Sequence, residues 1–209
     1  MPGLLWTPEG AGGPRPLVLI GHGGGGNKRM EYVLSLARRL VRHQGWAAAA
    51  IDGIGHGERS ELFDQAELFT LVQAAAGDMI TDWTATLGEL RALDEVGTGP
   101  LGYWGLSMGT MFGAPFVGAT PDVRVAVLGL MGDLGAADPW MRAARNITVP
   151  VLFLAQLDDE LIPFERATTL FRAIGSGDKR LHAHPGLHSA VPVEEIEASE
   201  AFLAQHLRG

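Results

Sequence analysis

The sequence predicts an α/β protein with a mostly parallel central sheet and helices on both faces. Short apolar runs alternate with stretches of helical periodicity, which is the pattern of βαβ units. Most runs are apolar along their whole length, as strands covered on both faces are. The third observation is size: 209 residues, 46% hydrophobic and 19% charged, suffice for one packed core. The 29 Gly and 12 Pro show no collagen-like period and no linker tract, so residues 1–209 read as a single domain.

The expected strands, in order, are Pro16 to Ile20, Trp46 to Ile51, Leu101 to Gly105, Val123 to Leu130, Val149 to Leu154 and Arg180 to Ala183. Between the first two, Met30, Val33, Ala37, Leu40 and Val41 fall on one helical stripe. Arg38, Arg39 and Arg42 crowd its last turns, where cations suit the macrodipole, and Gly45 marks its end. Ile80, Trp83, Leu87 and Leu90 form a second stripe. Asp138 before Pro139 reads as an N-cap followed by a first-turn proline. Ile196, Leu203 and Leu207 mark a final helix. The segment from Glu58 to Gly77 is the least regular. It reads either as an extra helix covering the core or as a small lid or association surface.

Composition excludes several classes of function. The net charge of −8 argues against general nucleic-acid binding, which needs a basic footprint. The absence of cysteine removes disulfides, thiolate metal sites and any Cys nucleophile. The N-terminus lacks a basic region before an apolar stretch, and no run approaches the roughly 18 apolar residues of a membrane span. A soluble, cytoplasmic protein with no membrane partner is the expectation.

Gly105-Leu106-Ser107-Met108-Gly109 matches G-x-S-x-G between an apolar strand and a helix-like stretch. Small flanking residues permit a tight strand-to-helix turn, which lifts the serine hydroxyl to a helix N-terminus. A serine hydroxyl needs a base. His188, in Pro185-Gly186-Leu187-His188-Ser189, follows the last expected strand and so falls at the C-terminal rim of the sheet. His182 and His184 lie within that strand and read as structural. With His188 they suggest a metal site, but that stretch supplies no carboxylate to complete one, and no metal is expected. The base in turn needs an acid, and Asp158, Asp159 and Glu160 compete for the role. The order Ser, acid, His leaves room for a βα unit between each pair. Finally, His22-Gly23-Gly24-Gly25-Gly26 follows the first expected strand and can aim backbone N–H groups at a developing oxyanion. It lacks the Gly-Lys-Ser/Thr ending of a phosphate loop, since Lys28 is followed by Arg29.

On these residues, with Asp52-Gly53-Ile54-Gly55-His56-Gly57 after the second expected strand, the chain resembles the α/β-hydrolase family over nearly its whole length. The likeness is to small, lidless members of the dienelactone-hydrolase and esterase kind. The resemblance implies an α/β-hydrolase fold whose early antiparallel strands are either shortened, to Leu4 to Trp6, or missing. Only about 17 residues separate the strand ending near Met131 from Val149, too few for a large cap domain. It implies a triad of Ser107, Asp159 and His188, because the family's acid commonly precedes a Val-Pro or Ile-Pro pair and Ile162-Pro163 stands here. Asp158 would then bind the loop and Glu160 would face solvent. It implies an oxyanion hole from the Met108 amide and that of Gly24 or Gly25, and a structural turn around His56. Dienelactone hydrolases proper use a Cys nucleophile, so the serine here favours ester chemistry.

The expected function is therefore a serine hydrolase, a carboxylesterase on small esters, needing no cofactor. The same groups suit a thioester, lactone, amide or carbon–carbon substrate, and a non-catalytic small-ligand binder is the alternative outside enzymes. Trp104, Met108, Met131, Trp140 and the segment from Leu62 and Phe63 to Val72 are available to line an apolar pocket, although such residues beside a sheet are more often core. A missing first strand would leave an edge for pairing into a homodimer.

Overall fold

The computed structural model describes residues 2–10, 12–62, 75–135 and 139–208. Among them the chain runs β1 (Gly3–Trp6), β2 (Leu17–Gly21), α1 (Glu31–Arg39), β3 (Ala47–Ile51), α2 (Ala76–Arg91), β4 (Leu101–Gly105), α3 (Met108–Ala119), β5 (Val123–Gly129), α4 (Pro139–Ala144), β6 (Val151–Gln156), α5 (Phe164–Ala173), β7 (Lys179–His184) and α6 (Glu194–Leu207). The strands form one seven-stranded sheet in the order β1-β3-β2-β4-β5-β6-β7. β1 pairs antiparallel with β3, and the other pairs are parallel. This is the α/β-hydrolase architecture, with one short antiparallel strand at the start and no large cap among the described residues.

Apolar runs still obey the two-residue period of a strand. Leu17, Leu19, Tyr103, Ala126, Leu128, Val151 and Phe153 face one core, packed by Met79, Trp83, Phe116, Trp140 and Leu170 of α2 to α5. Val18, Ile20, Trp104, Val125, Val127, Leu152 and Leu154 face the other, packed by Val33, Leu36 and Ala37 of α1 and Phe202, Leu203 and Leu207 of α6.

Element boundaries shift for local reasons. α1 is prolonged by a π-helical turn, Leu40–Gln44, and stops where Gly45 takes φ 71°. β5 ends at Gly129 rather than Leu130: Gly129 has φ 153° and Leu130 φ 50°. A Cβ on Gly129 would lie 2.2 Å from the Leu154 carbonyl oxygen. β6 starts after Pro150 and runs two residues past Leu154, because Ala155 and Gln156 still pair with Ala183 and His184.

Trp104 and Met131 are core residues, not pocket-lining ones. Trp104 follows Tyr103 in β4, so it points to the α1 and α6 side, and its indole N–H donates to Ser199 Oγ at 3.1 Å. Met131 is 3% exposed and packs in the α2 to α5 core. Trp140 is fully buried, with its N–H donated to the Gly132 carbonyl. A 3-10 turn, Gly57–Leu62, opens the irregular segment. The Leu62 side chain, Phe63 and the rest of that segment to residue 74, and Asp138 with its proposed cap, lie outside the described residues. Among the described residues, no helix is long and apolar enough to cross a membrane.

Candidate active site

The parallel strands deliver four loops to one rim of the sheet, those after β2, β4, β6 and β7. Ser107 is the second of the two residues, Leu106 and Ser107, that turn β4 into α3, and it has φ 56° and ψ −120°. A non-glycine residue rarely takes positive φ, so surrounding contacts must hold this strain. The Ser107 amide donates to the Gly129 carbonyl at 2.9 Å. Thr110 Oγ1 lies 2.8 Å from the Gly105 carbonyl oxygen and 2.7 Å from that of Gly129, and it accepts the Gly129 N–H. The buried Tyr103 hydroxyl donates to the Gly109 carbonyl at 2.8 Å, and burial raises its pKa above the ordinary phenol range. The turn also demands close approach: a Cβ on Gly109 would stand 2.6 Å from the Gly21 carbonyl oxygen. Neither Thr110 nor Tyr103 stood out in the sequence. Thr110 is recognisable afterwards as the first polar residue beyond the G-x-S-x-G match.

The structure brings Ser107, Asp159 and His188 together. The Ser107 hydroxyl lies 2.9 Å from His188 Nε2. His188 Nδ1 lies 2.7 Å from Asp159 Oδ2. Asp159 is 9% exposed, and its other oxygen accepts the backbone N–H groups of Leu161 and Ile162 at 2.9 and 2.8 Å. Its two neighbours grip the same loop. Asp158 Oδ2 accepts the Gly186 N–H at 2.9 Å, and Glu160 Oε2 accepts the His188 N–H at 2.8 Å. Glu160 is exposed, as its place in the loop suggested, but it also anchors His188. That bond from the His188 amide holds its carboxyl below the ordinary range.

The glycine loop lies beside the serine. A Cβ built on Gly23 would be 3.9 Å from Ser107 Cβ. The Gly23 N–H is spent on the Tyr32 hydroxyl at 2.7 Å, which leaves Gly24 and Gly25 as exposed loop amides with no partner among the described residues. Met108 opens α3 immediately after Ser107, so its N–H is an unpaired helix N-terminal donor. These amides are the donors available to a developing oxyanion.

Behind the loop, His22 is 2% exposed. Its Nε2 accepts the Gly53 N–H at 2.9 Å, so Nδ1 carries the proton and donates to the Gly23 carbonyl at 2.8 Å. Burial lowers its pKa and keeps it neutral. Asp52, fully buried, accepts the Lys28 backbone N–H at 2.8 Å and the Glu58 N–H at 2.9 Å, and it pairs with the Lys28 ammonium. Burial alone would raise the Asp52 pKa, but these bonds outweigh it and hold the carboxyl below its usual range. Burial likewise opposes the Lys28 charge, yet bonds to Asp52 and Glu58 raise its pKa. Gly57, at φ 55°, must be glycine, because a Cβ there would sit 2.4 Å from the Asp52 carboxylate. His56 Nδ1 bonds the Ile54 carbonyl at 2.9 Å inside this turn. Lys28 and Tyr32 were missed because nothing in the sequence announces their distant partners.

His182 and His184 do not approach Ser107. They meet Glu195, the carboxylate that the local sequence did not supply, at the start of α6.

Residues 1–200 match the family described as the dienelactone hydrolase family. No curated protein sequence matches the chain. A cold-adapted esterase from an Arctic intertidal metagenomic library, solved bound to PEG, is 39% identical with a TM-score of 0.88, over 99% of this chain and 88% of that one. A zinc-bound structure of such an esterase from the same source gives 38% identity and a TM-score of 0.84, over 99% and 87%. Est1E from Butyrivibrio proteoclasticus with ferulic acid bound shares the fold at 16% identity, TM-score 0.78, over 100% and 96%.

Proposed function

The chain belongs to the dienelactone hydrolase family, and from that premise we propose that it is a serine hydrolase, a carboxylesterase that cleaves small esters through an acyl-enzyme. One observation carries the reading. The Ser107 hydroxyl, held on a strained elbow, points at His188 Nε2 from 2.9 Å, while the opposite ring nitrogen meets a buried carboxylate.

The chemistry follows from those positions. The Nδ1–H of His188 donates to Asp159, so Nε2 is the basic nitrogen and accepts the Ser107 proton. Oγ attacks the ester carbonyl, and the N–H groups of Met108 and of Gly24 or Gly25 bind the oxyanion. His188 then gives its proton to the departing alcohol. Water repeats the sequence on the acyl-enzyme and releases the acid. Asp159 keeps the ring oriented and stabilises its charged form. All of the steps are acid–base and nucleophilic chemistry of side chains, so the scheme requires no metal or organic cofactor. The 39% identity to an esterase supports an ester as substrate.

Kinetics of Ser107→Ala test the proposal. With p-nitrophenyl acetate, kcat should fall by roughly 10⁶, while the variant melts like the parent. A folded Ser107→Ala protein as active as the parent would refute the assignment. A matched panel of ester, thioester, lactone and peptide substrates separates ester cleavage from the other reactions open to the same groups.

A further inference from the structure

We propose that His182, His184 and Glu195 form a divalent transition-metal site, suited to Zn²⁺, which clasps the two ends of the loop that carries His188. His182 and His184 stand two residues apart on β7 and so point to the same face of this edge strand. Glu195 enters from the first turn of α6. His182 Nδ1 lies 2.9 and 3.1 Å from the two Glu195 oxygens, and His184 Nε2 lies 2.7 Å from Oε1. The three ligand atoms all fall within 4.8 Å of one another. Zinc bonds of about 2.0–2.2 Å at tetrahedral angles put ligand atoms about 3.4 Å apart, so an ion needs each imidazole–carboxylate contact to open by about half an ångström.

Charge favours a cation there. Glu195 is as buried as Glu200, both 5% exposed. Glu200 has Arg39 as a permanent positive partner, along with His43 and Gln44. Among the described residues, Glu195 has only the two imidazoles. Arg180, the nearest cation along β7, is committed elsewhere: it contacts Asp178, Gln205 and the Phe202 ring. Two imidazoles and a carboxylate are ligands of zinc rather than of magnesium or calcium. Both rings reach solvent, and a cleft of about 150 Å³ adjoins His182, so water can complete the coordination shell. An ion so placed ties the end of β7 to the start of α6 and limits the freedom of residues 185–193 between them.

The test uses the full chain without an affinity tag, stripped by a chelator and equilibrated with ZnCl₂. One zinc per chain is expected by metal analysis. Tm should rise by about 5 °C when free zinc exceeds Kd a hundredfold, and Mg²⁺ should leave it unchanged. Glu195→Gln and, separately, His182→Ala should bind zinc at least tenfold more weakly and lose the Tm rise. His188→Ala should keep both, which separates this site from the serine centre. Absence of bound zinc, equal binding by the parent and both variants, or loss of zinc in His188→Ala with retention in Glu195→Gln would each overturn the proposal.

Discussion

Glu160 holds His188 by its backbone, accepting the amide at 2.8 Å, one residue after Asp159 takes the ring of the same histidine. With Asp158 on Gly186, three consecutive carboxylates hold the loop between β7 and α6. Glu160→Ala should therefore misplace the imidazole and lower kcat roughly three- to tenfold with KM little changed, and Glu160→Gln, which keeps an acceptor oxygen, should recover most of the loss. Steady-state kinetics on one ester distinguishes the two. Equal rates for Ala and the parent would show that the anchor is dispensable.

The buried pair of Lys28 and Asp52 ties the glycine loop to the end of β3. Lys28→Met would leave an uncompensated carboxylate, at a cost of about 3–5 kcal/mol in urea unfolding, and adding Asp52→Leu should return much of it. The depressed Asp52 pKa fixes the acid behaviour. Its contribution is present above about pH 3.9, the ordinary carboxyl value, and is lost as pH falls through the lower folded value. Asp52→Asn should accordingly flatten the acid limb of the stability profile. An unchanged limb would contradict the reading.

His22 titrates with the opposite proton preference from a surface histidine. Burial lowers its folded pKa, so the unfolded chain takes up the proton first. Its stabilising contribution is present above about pH 6.5 and is lost as pH falls through the folded value. Tm measured from pH 7 down to 5 should drop less steeply in His22→Asn than in the parent. A parallel pair of curves would show that another group governs that range.

Much of this was legible in the chain because it was local. Apolar runs such as Leu101 to Gly105 gave their strand, and the small residues around Ser107 gave its turn. The orientation of Trp104 was not legible: a run buried on both faces does not say which side any one residue takes until the register with α6 is known. Glu195 and Lys28 were hidden for a related reason. Each meets its partners only after folding, across 11 residues or more for Glu195 and 24 for Lys28. The break at the end of β5 was half legible: Gly129 marks a place where a strand can stop, but nothing in Leu130 itself announces its positive φ.

The central claim is that the hydroxyl of residue 107 is the nucleophile. A fluorophosphonate probe followed by peptide mass mapping tests it most directly. The account predicts one adduct per chain, on the peptide containing Ser107, and none on folded Ser107→Ala. A folded parent that stays unlabelled, or an adduct on a different side chain, would contradict it.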